Sequence, residues 1–260
     1  MLDFRILMIK LIYYIRQGGK MKKVLFLNLI FIMVFSFIYS EISADLMFRA
    51  KSGDSEAQTE LGLRYYYGSG GIEIDLNKAF SWFKKAANNN NPAAIYQLGT
   101  MYESGFRNTK NPDYQKAFDY YKKSADMGYS EAQYELGSKY EFGFEDVVDE
   151  DYKQALAWYE KAAEGGFSEA QYELGYSYFE GTLTRKDNNQ AFKWLTRASE
   201  NNHAEAQYYL GTMYCNGLGC EKNHEKAKYW LKKAYYNAED DVTLQDMVKI
   251  VWNENNYGDL

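Results

Sequence analysis

The stretch AQYELGSKY, Ala132–Tyr140, decides the fold of this chain, because near-copies of it recur at a regular spacing. In each copy a Leu-Gly pair is followed, three residues after the Gly, by a Tyr. The other copies are AQTELGLRY (Ala57–Tyr65), AIYQLGTMY (Ala94–Tyr102), AQYELGYSY (Ala170–Tyr178) and AQYYLGTMY (Ala206–Tyr214). The five Gly residues lie 37, 38, 38 and 36 positions apart, a period typical of stacked structural repeats.

A second motif follows each copy, with an Ala, an aromatic residue or Leu, and another Ala at three- and four-residue spacing. Its versions are KAFSWFKKAA, KAFDYYKKSA, QALAWYEKAA, QAFKWLTRAS and KAKYWLKKAY, with leading alanines Ala79, Ala117, Ala155, Ala191 and Ala227. Two segments of helical length in each period, joined by a Gly-containing connector, predict helix-turn-helix repeats. We call the first segment helix A and the second helix B.

The spacing within each motif predicts how the helices begin and pack. In helix A the Ala, Leu and Tyr fall at positions i, i+4 and i+8 and so share one face, while the Gly beside Leu allows a neighbouring helix to approach closely. An Asp or Asn four residues before the leading Ala is predicted to be the N-cap of helix B. These residues are Asp75, Asp113, Asp151, Asp187 and Asn223. Because the chain has only two prolines and 46% hydrophobic residues, its composition also favours an all-α class.

The N-terminal residues differ from the repeats. Met21-Lys22-Lys23 precedes the apolar run Val24–Tyr39, a pattern typical of a secretory signal peptide, and we predict cleavage after Ala44. Residues 21–44 are therefore assigned to the signal peptide, and residues 1–20 to an N-terminal extension from a misassigned start. An exported protein, periplasmic or extracellular, is expected, with an uncleaved membrane anchor as the alternative.

The charge of the chain narrows the choice of partner. Removal of residues 1–44, which carry six basic and two acidic side chains, would change the net charge from −6 to −10. Such an acidic surface repels nucleic-acid phosphates and anionic lipid headgroups. No nucleic-acid partner is expected, and a membrane is expected only if the signal segment stays uncleaved.

The two motifs resemble those of the Sel1-like repeat family, a relative of the tetratricopeptide repeat, over about residues 54–234. The G-x-G loop of that pattern is present in Gly68-Ser69-Gly70 and Gly217-Leu218-Gly219, whereas the loops around Gly105, Gly143 and Gly181 depart from it. The resemblance implies an all-α, right-handed α-α solenoid of five helix-turn-helix repeats with capping helices.

The ends of such an array need capping helices where stacking stops. Residues 45–53 are assigned to the N-terminal cap, in which Leu46 to Lys51 is predicted to be a lone helix B. Residues 235–260 are assigned to a C-terminal capping helix and tail. The predicted apolar positions of that helix are Val242, Leu244, Met247, Ile250 and Val251.

Few residues here suit catalysis. The only histidines are His203 and His224, and no HExxH, GxSxG or Cys/His ligand pattern accompanies them, so no catalytic site, metal site or cofactor is predicted. Cys215 and Cys220 flank the loop CNGLGC, and an exported chain favours a disulfide between them, with two reduced thiols or a redox-active pair as alternatives. Cysteine-rich relatives with penicillin-binding or β-lactamase activity carry a Cys pair in each repeat. Four repeats here have none, which weakens an enzymatic interpretation.

The predicted partner-binding residues come from helix A, which lines the inner groove of tetratricopeptide arrays. The resemblance implies a ladder on the concave side, formed by Tyr96, Tyr134, Tyr172 and Tyr208. Nearby residues on the same side are Glu131, Glu169, Glu205, Tyr176, Phe179, Glu103 and Glu141. This surface suits a protein or peptide, including basic segments, or an envelope polysaccharide. Alternatively, the tyrosines mainly pack neighbouring repeats, and both roles can hold at once. We expect a protein-interaction scaffold or adaptor, with an inert envelope spacer as a further alternative.

Overall fold

The computed structural model describes residues 44–105 and 112–260, and all of the longer secondary-structure elements in this range are helices. A helical segment, α1, covers residues 44–51. It is followed by α2 (Ser55–Tyr67), α3 (Leu76–Asn88), α4 (Pro92–Glu103), α5 (Tyr114–Asp126), α6 (Ser130–Phe142), α7 (Tyr152–Glu164), α8 (Ser168–Glu180), α9 (Asn188–Glu200), α10 (Ala204–Asn216), α11 (His224–Asn237) and α12 (Val242–Glu254). The predicted N-terminal extension and nearly all of the predicted signal peptide lie outside the described residues.

Among the described residues, no helix has both the length and the apolar character that crossing a bilayer requires.

The helix boundaries follow from local side-chain chemistry. The side chains of Asp113, Asp151, Asp187 and Asn223 each accept hydrogen bonds from first-turn backbone N–H groups of α5, α7, α9 and α11. Asp75 does the same for α3 by accepting from the backbone N–H of Lys78 at 3.0 Å. The N-caps predicted for every helix B are therefore confirmed.

The chain divides into two compact units, with the boundary between Ala86 and Ala87. In the first unit, the core between α1, α2 and α3 contains Leu46, Ala50, Ala57 and Leu61, with Trp82 packed against it. The side-chain amide of Gln58 donates a 2.9 Å hydrogen bond to the carbonyl of Ala50. This contact ties the end of α1 to the start of α2.

In the second unit, α4 to α11 form four successive helix pairs, α4 with α5, α6 with α7, α8 with α9 and α10 with α11. Helix B of one pair also packs against helix A of the next, as α5 does against α6. The chain is therefore an all-α helical-repeat protein of the solenoid class, which confirms the fold class predicted from the sequence.

The Gly of each helix A is a point of close approach between the two helices of its repeat. A Cβ added to Gly137 would lie 2.6 Å from the ring of Tyr159, and one added to Gly99 would lie 2.7 Å from the ring of Tyr121. In the last two repeats Leu195 and Leu231 replace the ring against Gly175 and Gly211. The Leu-Gly pair therefore sets the distance between the two helices.

A buried Gln of helix A links neighbouring repeats of the second unit. The side-chain amide of Gln171 donates a 3.0 Å hydrogen bond to the carbonyl of Ala163 in the last turn of α7. Gln133 and Gln207 make the equivalent bonds to Ala125 and Ser199. The Gln and its acceptor are eight residues apart each time, so this contact holds each new helix A to the helix B before it.

The C-terminal helix α12 resembles a sixth helix A. Its buried residues Leu244, Val248 and Trp252 stand at i, i+4 and i+8, where the repeats have Ala, Leu and Tyr. The predicted apolar face was partly wrong, because Val242 and Ile250 lie on the opposite side and are exposed. The residue after Val248, where the repeats have Gly, is the exposed Lys249. Beyond α12, the hydroxyl of Tyr257 reaches His224 Nδ1 at 2.7 Å and so lies against the fifth repeat.

Candidate functional site

Four equivalent tyrosines on the A helices of the second unit form a row. Tyr96, Tyr134, Tyr172 and Tyr208 lie on α4, α6, α8 and α10, and all four are half-buried. We call them the tyrosine row.

Three members of the row pack against a ring at the N-cap of the next helix A. The ring centroids of Tyr96 and Tyr129 are 5.7 Å apart, those of Tyr134 and Phe167 are 5.3 Å apart, and those of Tyr172 and His203 are 4.5 Å apart. The tyrosine row therefore packs neighbouring repeats, as the alternative interpretation expects, while each ring stays partly exposed.

The predicted carboxylates lie beside this row. Glu131, Glu169 and Glu205 are the second residues of α6, α8 and α10, and each acts electrostatically on the row tyrosine of the preceding repeat. Burial raises the pKa of Tyr134 to about 12, with the carboxylates of Glu173 and Glu169 contributing. We call the surface formed by the row and these carboxylates the tyrosine face.

Tyr176 and Phe179 extend the tyrosine face in the fourth repeat. Both rings lie 5.4 Å from the ring of Tyr209, and the Tyr176 ring lies 5.9 Å from that of Tyr172. Sequence reasoning did not single out Tyr209, which joins the aromatic side chains of α8 to those of α10.

Glu103 and Glu141 have a structural role that the sequence prediction missed. Glu103 Oε2 accepts a hydrogen bond from the hydroxyl of Tyr121, and Glu141 Oε2 accepts one from Tyr159 at 2.7 Å. Each carboxylate thus satisfies the hydroxyl of the ring that packs against the Gly of its own helix A.

Glu173, on α8 beside Tyr172, is a further charged residue that sequence reasoning missed. Burial, followed by the charges of Glu141 and Glu205, raises its pKa from 4.5 to about 7. It has no ion-pair partner among the described residues, whereas the equivalent Glu135 pairs with Lys139 four residues later at 3.0 Å. Comparing the repeats at the position four residues after this Glu would have revealed the unpaired carboxylate, because the fourth repeat has Ser177 at that position.

With this geometry in place, the comparisons with known proteins identify the repeats. The Sel1 repeat pattern matches residues 55–91, 92–129, 130–167, 168–203 and 204–238, more than half of the chain. The chain belongs to the Sel1 repeat family. The resemblance stated from the sequence is confirmed, and Sel1-repeat proteins are typically protein-interaction scaffolds that are generally non-enzymatic.

Solved structures and one curated protein are similar to this chain. A Sel1 repeat protein from Oxalobacter formigenes is similar over 80% of this chain and 82% of its own, with a TM-score of 0.68 and 31% identity. The immunity protein Pa5087 from Pseudomonas aeruginosa shares the fold, with a TM-score of 0.53 and 21% identity over 78% of this chain and 75% of its own. A 60-residue segment, 23% of this chain, is 37% identical to the ERAD-associated E3 ubiquitin-protein ligase component HRD3A of Arabidopsis thaliana, and spans 9% of that protein.

The two cysteines of the fifth Sel1 repeat do not form the predicted disulfide in this structure. Both are free thiols. Their side chains have different neighbours, because Cys215 is buried with Sγ 3.2 Å from the hydroxyl of Tyr257, whereas Cys220 Sγ faces the carbonyl of Met213. Burial raises the pKa of both thiols, which lowers their reactivity.

His203 at the end of the fourth Sel1 repeat and His224 in the fifth serve local structure. His203 is the N-cap of α10 and stacks on Tyr172, and burial lowers its pKa against the opposing effect of Glu205. His224 opens α11 and contacts Tyr257. Within residues 44–105 and 112–260, no group of three His, Cys, Asp or Glu side chains is arranged to hold a metal ion. The arrangement of the tyrosine face suits binding.

Proposed function

We propose that this Sel1-repeat chain is an exported scaffold or adaptor that holds a protein partner on its tyrosine face. One contrast carries the proposal. The hydroxyls of the buried Tyr121 and Tyr159 donate hydrogen bonds to carboxylates. The hydroxyls of Tyr134 and Tyr172, in contrast, have no hydrogen-bond partner in the described part of the chain. A ring held by packing with a free polar tip is the kind of residue that is enriched in protein interfaces.

The acidic side chains of the tyrosine face support a basic partner segment. Glu131, Glu169 and Glu205 repeat along it beside the tyrosine rings. Protein or peptide is the proposed class, and a polysaccharide that stacks on the rings is the alternative that the same experiment separates. Nucleic acid is disfavoured by the overall negative charge.

The binding test is affinity capture from envelope and medium fractions with residues 45–260 as bait. The bait Tyr134→Phe/Tyr172→Phe keeps the packed rings and removes the two hydroxyls. The matched control is Tyr229→Phe/Tyr236→Phe, which removes two exposed hydroxyls from helix B. A protein retained by the parent and the control but lost from the first variant supports the proposal.

Equal retention by all three baits would indicate that the partner binds another surface. Retention of carbohydrate alone would indicate that the partner is a polysaccharide and not a protein. Capture of nothing by any bait would favour an inert spacer. The export part is tested separately, because mass spectrometry of the native protein should find a mature N-terminus at Asp45 and no peptides from residues 2–19.

A further inference from the structure

The third repeat holds a lysine ammonium group between two carboxylates. Lys139 Nζ lies 2.6 Å from Glu103 Oε1 and 3.0 Å from Glu135 Oε1, and its side chain is only 14% exposed. The rings of Phe144 and Tyr121 lie 4.4 and 6.0 Å from the same nitrogen. The molecule therefore contains a complete example of an ammonium site on its A helices, supplied with its own cation.

The fourth repeat keeps the two carboxylates and the tyrosine of this site, but it has neither the lysine nor the Phe144 ring, whose position is taken by Thr182. A shift of 38 residues converts Glu103 to Glu141, Glu135 to Glu173 and Tyr121 to Tyr159. The hydrogen bond from the tyrosine to the first carboxylate is also kept. Lys139, in contrast, corresponds to Ser177, whose side chain is short, uncharged and buried.

The replacement of the lysine by Ser177 mainly affects the electrostatic environment of Glu173. Among the residues that the structure describes, no basic side chain acts on its carboxylate, and the charged groups that do act on it, Glu141 and Glu205, both repel it. Glu173 in turn helps to raise the pKa of three tyrosines, Tyr134, Tyr159 and Tyr172. Two negatively charged carboxylates that are partly shielded from water repel each other, which is unfavourable unless a cation lies between them.

We propose that Glu141 and Glu173 bind the side-chain ammonium of a lysine from the protein partner, in the position that Lys139 occupies one repeat earlier. This inference rests on the proposed function, and it names the chemistry of the partner and the register in which it lies on the tyrosine face. Tyr134 and Tyr172 belong to the α6 and α8 helices that carry the two carboxylates, and their rings are placed to cover the apolar stem of the lysine.

The test uses the full chain and a fluorescein-labelled, amidated decapeptide of alternating Lys and Gly, with fluorescence anisotropy at low salt as the readout. Glu173→Gln is expected to weaken binding at least fivefold. The control Glu164→Gln removes the same charge from an exposed position on α7, outside the tyrosine face, and is expected to change binding less than twofold. An equal effect of the two variants would mean that only net charge matters, and would overturn the proposal.

A second variant introduces the cation as a side chain of the protein itself. Ser177→Lys places an ammonium four residues after Glu173, as Lys139 stands four residues after Glu135, and is expected to abolish peptide binding while the helical circular dichroism is kept. Acetylation of the peptide lysines should also abolish binding. If the Ser177→Lys chain is folded and still binds the peptide as the parent does, the site is not the one proposed.

The proposed function and this inference fail separately. A captured partner that is lost with Tyr134→Phe/Tyr172→Phe but unaffected by Glu173→Gln and Ser177→Lys would leave the scaffold function standing and refute the lysine site. An arginine peptide that binds as tightly as the lysine peptide would refute the choice of an ammonium group.

Discussion

The hydroxyl of Tyr159 donates a 2.7 Å hydrogen bond to Glu141 Oε2, which joins the middle of α7 to the last turn of α6 in the same repeat. The two positions change together along the chain. Tyr121 is accompanied by Glu103, whereas Leu195 and Leu231 are accompanied by Phe179 and Cys215. A carboxylate is thus present where a buried hydroxyl needs an acceptor, and it is replaced where the facing residue is Leu.

Removal of this acceptor alone should destabilise the fold. Glu141→Leu leaves the hydroxyl of Tyr159 without a partner and is expected to lower the free energy of unfolding by about 1–3 kcal/mol. Adding Tyr159→Phe should recover much of that loss. Urea denaturation of the two single variants and the double variant gives the coupling, and purely additive effects would contradict this account.

The Gln contact between repeats should be worth a similar amount. Gln171→Leu removes the hydrogen bond to Ala163 and the one accepted from Asn201, so unfolding should cost about 1–3 kcal/mol less. Gln154→Leu, at an exposed position on α7, is the control and should change stability by less than about 0.5 kcal/mol. Similar losses in both variants would show that the buried contact contributes nothing specific.

Gly219 should tolerate no side chain. Its φ is 66°, and an added Cβ would lie 2.1 Å from the carbonyl oxygen of Asn188. Gly166 also has a positive φ, 93°, but nothing within 4 Å of an added Cβ. Gly219→Ala is therefore expected to destabilise by about 3 kcal/mol or more and Gly166→Ala by about 1 kcal/mol, as measured by thermal unfolding. Equal costs would show that backbone conformation alone matters.

Ser199 offers the opposite case. Its Oγ is buried and has no hydrogen-bond partner among the described residues, and the equivalent residue two repeats earlier is Ala125. Ser199→Ala should leave stability unchanged or raise it by about 1 kcal/mol. Ser124→Ala removes a 2.7 Å hydrogen bond to the carbonyl of Pro92 and should lower stability by about 1 kcal/mol. Chemical denaturation of both variants checks the contrast.

The raised pKa of Glu173 predicts a dependence of stability on pH. Because its folded pKa of about 7 exceeds the ordinary 4.5, the folded chain holds the proton more tightly, and the free energy of unfolding falls as pH rises from 4.5 through 7. Glu173→Gln should thus be more stable than the parent at pH 8, on the order of 2 kcal/mol, and about equal to it below pH 4.5.

Thermal unfolding of the parent, Glu173→Gln and Glu164→Gln across this range isolates the contribution of Glu173. The groups that face it are Glu141, Glu205, Tyr134, Tyr159 and Tyr172. Burial lowers the pKa of His203, which is stacked on Tyr172, and the two carboxylates that act on it, Glu205 and Glu169, are present in all three proteins, so its contribution cancels in their differences. A stability difference that does not change with pH would contradict the assignment.

The fold was predictable because its signals are local and repeated. The N-caps and the Leu-Gly-x-x-Tyr spacing each act within one or two helical turns, so each copy carried the same information. The functions of Gln171, Glu141 and Glu173 were not predictable in this way, because their partners lie on other helices, eight to more than thirty residues away. The α12 segment has more apolar residues than one helix face can hold, and only packing separated the buried Leu244 from the exposed Val242.

Lys249 in α12 has a consequence for how such an array can lengthen. It stands where the other A helices have Gly, so a following helix B would meet an alkylammonium side chain instead of a bare backbone. A helix B packed against α12 in the way seen within the repeats would therefore require a residue without a long side chain at position 249.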